Sequence, residues 1–334
     1  MTSTQSETKR VLSSPIVSNK SVPSLKNGMD YTKVGSSDLI VSKVCMGTMT
    51  FGNQNTLEEG VEQLNLAFDE YGINFIDTAE MYPVPTNAET QGKTDQTVAA
   101  FMNQDSVKRE DVILATKVAG RSGFIDWLRK DKSTTIVSRE QIIESVDSSL
   151  ERLDTDYIDL LQIHWPDRYV PMFGSDDFDP SKIGDDVISM EEQLSTLKEM
   201  VDSGKVRYIG VSNETPYGVC SMMTLAKQEP SLYAKIVSIQ NNYSLVNRKD
   251  YEAGLAEVCH YHNVGLLPYS PLAGGTLSAK YNRDPDSIPD NSRLKLFKGY
   301  MERYLGSYNS EATAEYEKIA KEVSLTQFFF YTFT

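Results

Sequence analysis

Basic charge, cysteine and histidine are all scarce in this chain. Its 334 residues hold 33 lysines and arginines against 47 aspartates and glutamates, with three cysteines and three histidines. The formal net charge is −14 and the pI about 4.8. Such a surface repels phosphate backbones and anionic lipid, which argues against nucleic acid and membrane surfaces as partners. The cysteines, Cys45, Cys220 and Cys259, are odd in number and far apart. No CxxC pair stands among them, so neither a disulfide framework nor a metal site is expected, and three buried, reduced thiols are. No apolar run approaches the roughly 18 residues of a membrane span.

What is present is ordinary for a globular protein, 40% hydrophobic and 24% charged. The length allows one large α/β barrel or two medium domains. Residues 1–28, "MTSTQSETKRVLSSPIVSNKSVPSLKNG", are Ser-rich, carry one acid (Glu7) and show no apolar periodicity. They are expected to form a disordered tail on a cytoplasmic protein. An organelle transit peptide is the alternative, since such peptides are Ser-rich, basic and acid-poor.

From Tyr31 the chain alternates. "YTKVGSSDLIVSKV" reads as a hairpin turning at Gly-Ser-Ser-Asp. Short apolar runs follow at 44–47, 74–77, 112–117, 157–163, 206–211, 236–240 and 264–269, as suits parallel strands buried on both faces. Helical patterns lie between them. Thr56, Ser138 and Ser189 each precede a Glu or Gln by three residues and fit capping boxes, while Gly72 and Gly204 suit left-handed stops. Seven strand–helix units in series point to a parallel sheet, either open and doubly wound or closed as a (β/α)8 TIM barrel. The open sheet usually carries GxGxxG after its first strand, and neither "GTMTFGNQN" nor "LAGGTL" has that spacing. The barrel is therefore the expected fold, with its site at the C-terminal ends of the strands.

Asp77, Lys117 and His164 close three consecutive expected strands, and Tyr82 follows Asp77 in the next loop. Each has a plainer explanation alone: a turn aspartate, a packing aromatic, a snorkelling lysine, a satisfied core histidine. Together at one mouth they make chemical sense. A lysine buried at a strand end needs a carboxylate partner. A cation beside a phenol favours the phenolate, which is expected to lower the Tyr82 pKa toward neutrality and suit it to pass a proton. His260 and His262 sit together at a predicted helix end and are assigned no role.

The motifs "GTMTFG", "IDTAEMY", "ATK", "IHWP", "KVRYIGVSN", "SIQNNYSL" and "YSPLAGGTLSAKY" resemble those of the aldo/keto reductases, NADPH-dependent (β/α)8 barrels. The resemblance covers about 29–323, and "AEMYPVP" with "ETQG" looks like the bacterial Tas-type branch, relatives of channel β-subunits. It implies hydride transfer from NADPH to the carbonyl of a small aldehyde or ketone, with Tyr82 as general acid, Lys117 and His164 assisting, and Asp77 holding Lys117. It also implies cofactor contacts. Gly47, Thr48, Met49 and Asp77 lie at the first strand ends. Ser212, Asn213 and Gln240 match positions that hold the carboxamide. Tyr269 matches the aromatic under the nicotinamide, Ser270, Pro271, Leu272 and Gly274 the pyrophosphate belt, and Lys280 and Arg293 the basic residues for phosphate and adenosine. The loop after the fourth strand, with the insertion 166–188 and the aromatics Trp165, Tyr169 and Phe173, either walls the pocket or caps the barrel.

The chain departs from the family after Val323. Family members continue into an eighth strand and helix, whose loop grips the adenosine 2′-phosphate. Here "SLTQFFFYTFT" follows, so the eighth unit is expected to be missing or replaced, with 324–334 an atypical aromatic tail. A second function class follows from that departure: a non-catalytic cofactor sensor or partner-binding regulatory subunit, or a truncated, defective remnant.

Overall fold

The structure, a computed structural model, describes residues 28–175, 177–282, 288–299 and 301–324. The expected tail up to residue 27 and the aromatic ending from residue 325 lie outside the described residues.

The hairpin is present. Strands β1 (Tyr31–Lys33) and β2 (Ile40–Ser42) pair antiparallel around Gly35, which adopts φ +52°. A side chain there is excluded, since its Cβ would fall 2.1 Å from the Val237 carbonyl oxygen. The hairpin packs Val34, Leu39 and Val41 against Phe75, Ile113, Leu160 and Val237, inside the curl of the main sheet.

That sheet has seven parallel strands in sequence order: β3 (Met46–Gly47), β4 (Phe75–Asp77), β5 (Ile113–Val118), β6 (Ile158–Ile163), β7 (Val206–Ser212), β8 (Ile236–Gln240) and β9 (Gly265–Leu266). Every one falls within or beside an expected apolar run. β5 and β6 are buried at all six positions, as strands covered on both faces must be. Helices α1 (Leu57–Asn65), α2 (Lys93–Met102), α3 (Arg139–Leu153), α4 (Met190–Asp202) and α5 (Pro216–Gln228) each follow one strand. After β8 come α6 (Lys249–Glu252) and α7 (Leu255–His262), and after β9 come α8 (Arg293–Leu296) and α9 (Ser307–Glu322). The larger outer core packs α3, α4, α5 and α7 on β5 to β9 through residues such as Ile142, Leu197, Met222 and Ile209. The fold is α/β, with the curled sheet and outer helices of a (β/α)8-type architecture. Among the described residues β3 and β9 are its outermost strands. No described helix is long and apolar enough to cross a membrane.

Two local expectations need correction. Thr56 makes the full capping box with Glu59. Ser138 and Ser189 cap their helices, but the return arms point elsewhere: Gln141 Oε1 accepts from Arg129 Nε and Ile136 N, and Glu192 Oε1 from Arg139 N. Of the three thiols only Cys259 is buried; Cys220 is intermediate and Cys45 exposed.

Candidate active site

Strand register brings the polar residues together. Asp77 pairs with Ala115, and Lys117 stands two residues on, on the same face. Lys117 is wholly buried, and its ammonium bonds the Asp77 Oδ1 and the Thr78 carbonyl oxygen, the latter at 2.8 Å. Thr48 anchors the end of β4 from β3, its N and Oγ1 both donating to the Asp77 carbonyl oxygen. Beyond β4 the chain turns so that the Tyr82 ring lies 5.0 Å from Lys117 Nζ. His164, directly after β6, meets Tyr82 edge-to-face at 5.6 Å, and its own ring leans on Trp165 at 4.9 Å. Asp77, Tyr82, Lys117 and His164 thus form one cluster at the strand ends.

Burial sets its electrostatics. Desolvation raises the Tyr82 pKa above the usual phenol range, because the Lys117 charge offsets only part of the penalty and Asp77 adds to it. The expected depression is therefore reversed, and the phenol keeps its proton at neutral pH. Burial alone would depress Lys117, but the Asp77 charge and the hydrogen bonds to Asp77 and Tyr82 outweigh it and hold the ammonium protonated. Burial, then the Lys117 charge, keep the His164 imidazole well below its usual range, so it is neutral at pH 7. Its Nδ1 is buried with no partner among the described residues.

Two contributors were missed by sequence reasoning. Gln162, fully buried on β6, donates to Asp77 Oδ2 at 3.0 Å. Its signal was a lone amide inside the apolar run "DLLQI". Glu80, between Asp77 and Tyr82, is buried and held by a fork from Arg129 at 2.8 and 2.9 Å and by Ala119 N at 2.7 Å. This ties the Tyr82 loop to the segment carrying Ile125, Trp127 and Leu128, which packs with Met81, Trp165 and Met172 beside the cluster. Of the insertion aromatics, Trp165 belongs to this wall, Tyr169 turns to Phe178 at 5.9 Å, and Phe173 is 54% exposed.

Several of the expected cofactor positions adjoin the cluster. Gln240 Nε2 reaches Asp77 Oδ2 at 3.0 Å. Ser212 Oγ donates to the Gln240 carbonyl oxygen, and Asn213 Nδ2 to the His164 carbonyl oxygen. Tyr269 donates its hydroxyl to Asn213 Oδ1 at 2.7 Å. Gly47 has open space where a Cβ would stand, and the Met49 carbonyl oxygen accepts from Val84 N. After Tyr269 the backbone runs through left-handed conformations at Ser270, Ala273, Gly274, Gly275 and Ala279, with Pro271 and Leu272 between. A Cβ on Gly275 would meet Lys280 Nζ at 3.2 Å, so the Lys280 ammonium, 5.1 Å from the Tyr281 ring centre, lies over this turn. Positive-φ turns and a cation make a concavity suited to phosphate oxygens. Arg293 opens α8, whose Leu294 N donates to the Tyr281 hydroxyl beside Lys280. A groove of about 560 Å³ between α4 and α5, lined by Arg168, Tyr217 and Cys220 among others, contains none of these residues.

The aldo/keto reductase family model matches residues 43–327. The chain belongs to the aldo/keto reductase family. It is 42% identical over 298 residues to protein tas of Escherichia coli (strain K12), covering 89% of this chain and 83% of that protein. It is 43% identical over 217 residues to an aldo-keto reductase of Babesia bovis, covering 63% of this chain and 74% of the relative. A probable voltage-gated potassium channel subunit beta of Arabidopsis thaliana is 28% identical over 301 residues, 89% of this chain and 80% of the relative. Membership places the chain among oxidoreductases acting on small molecules.

Proposed function

We propose that the chain reduces the carbonyl group of a small aldehyde or ketone to an alcohol with NADPH, Tyr82 acting as general acid. The observation that carries this reading is the phenol flanked by the Lys117 ammonium and a neutral His164. NADPH would be held by the turn at Ser270, Pro271, Leu272 and Gly274, by Lys280 and Arg293 on the phosphate side, and by Ser212, Asn213, Gln240 and Tyr269 near the nicotinamide. Gly47, Thr48, Met49 and Asp77 complete its surroundings. The cofactor supplies the hydride. Tyr82 gives its proton to the carbonyl oxygen. Lys117 stabilises the phenolate left behind, Asp77 fixes Lys117, and the His164 ring orients the carbonyl oxygen. The residues of this machinery lie within the 29–323 segment, and the protein acts in the cytoplasm or, if its leading segment is a transit peptide, in an organelle.

A panel of aldehydes and ketones, followed by NADPH absorbance, tests the reading. Turnover of at least one carbonyl class is expected, and NADPH binding with no turnover of any would contradict it. That outcome would favour the second reading, a cofactor sensor or regulatory subunit, for which the likeness to the Arabidopsis channel subunit is the supporting observation.

A further inference from the structure

Two amides crowd one carboxylate oxygen at the centre of the cluster. Gln162 Nε2 and Gln240 Nε2 both lie 3.0 Å from Asp77 Oδ2, while Lys117 holds Oδ1. Gln240 also approaches the Gln162 Oε1 at 3.3 Å. The donors come from β6 and β8, on either side of β7. Gln162 pairs in register with Gly210 of β7, and a Cβ there would stand 3.1 Å from Gln162 Cγ and 2.3 Å from Ser238 Oγ. A glycine at 210 therefore leaves the glutamine its path across the interior.

With the ammonium and one amide, each oxygen of Asp77 would already have a donor. The second amide is redundant unless one of the two is drawn away. Gln240 is the one with somewhere to go: it ends β8 beside Ser212, Asn213 and the mouth, whereas Gln162 is wholly buried. We propose that Gln162 is a positioning residue that keeps Asp77 Oδ2 bonded when Gln240 lends its amide to the carboxamide of the nicotinamide. The inference rests on the proposed NADPH binding and assigns Gln162 a role distinct from cofactor contact. When Gln240 turns, Asp77 keeps Lys117 and Gln162, and the ion pair beside Tyr82 stays in place. Without Gln162 the same turn strips a buried oxygen of its last donor, so Gln240 stays on Asp77 and the cofactor loses a contact.

A double-mutant cycle on NADPH affinity tests this without turnover. Trp127 and Trp165, the chain's two tryptophans, stand in the wall beside the cluster and report binding by fluorescence. Gln162→Met is expected to weaken NADPH binding roughly tenfold when Gln240 is present, the scale of a hydrogen bond to a charged group, and by less than about twofold in Gln240→Met. Gln162→Leu removes the donor without placing a second carboxyl beside Asp77, and is expected to show the same dependence on Gln240 should the methionine variant not fold. Equal losses in both backgrounds, or no loss from either Gln162 variant, would overturn the inference while leaving the reductase reading intact. A wild-type chain that binds no NADPH would remove both.

Discussion

Lys117 and Asp77 form an ion pair on adjacent strands in which the lysine is wholly buried and the aspartate nearly so. Removing one partner leaves a charge with nothing to offset its desolvation. Asp77→Leu is expected to lower stability by about 3–5 kcal/mol, and Asp77→Leu combined with Lys117→Met to recover most of it. Urea unfolding of the wild type and these two variants checks this, and a double variant as unstable as Asp77→Leu would mean the pair is not coupled.

The fork between Glu80 and Arg129 makes the same physical argument at the wall of the site. Arg129→Met strands the Glu80 carboxylate against a single backbone donor, Ala119 N, so a loss of about 3–5 kcal/mol is expected. Because Trp127 rides on the same segment, its fluorescence should shift in the folded variant. An unchanged spectrum with unchanged stability would show that the fork is not what holds the wall.

His164 supplies a pH dependence whose sign can be worked out. Burial, then Lys117, depress its folded pKa, so the unfolded chain takes up the proton first as pH falls. The stability associated with the neutral ring is complete above about pH 6.5 and is lost below it, at up to roughly 1.4 kcal/mol per pH unit for this one group. His164→Asn removes that contribution. Unfolding at pH 7.5 and pH 5.5 should show the wild type losing more stability than the variant, and parallel losses would contradict the assignment.

The parts of the fold legible in sequence were those with a local cause. The strand runs are short and apolar, Gly35 turns the hairpin, and Thr56, Ser138 and Ser189 cap their helices. The clustering of Asp77, Tyr82, Lys117 and His164 was legible because an ionisable residue stands at or next to the end of each of β4, β5 and β6. Gln162 was not, since its partners stand 85 and 78 positions away and only barrel curvature brings them near. The return arm of Gln141 failed for the same reason: Arg129, drawn in by Glu80, competes for it. The direction of the Tyr82 shift was missed because proximity of a cation is readable from strand order, whereas the degree of burial is not.

Tyr82→Phe isolates the proposed proton donor. The ring, its packing on His164 and its distance from Lys117 are retained, and only the hydroxyl that gives up the proton is removed. The account predicts that kcat for a reducible aldehyde falls by about 10²-fold or more while the Kd for NADPH stays within a small factor. A variant that turns over at the wild-type rate would contradict it.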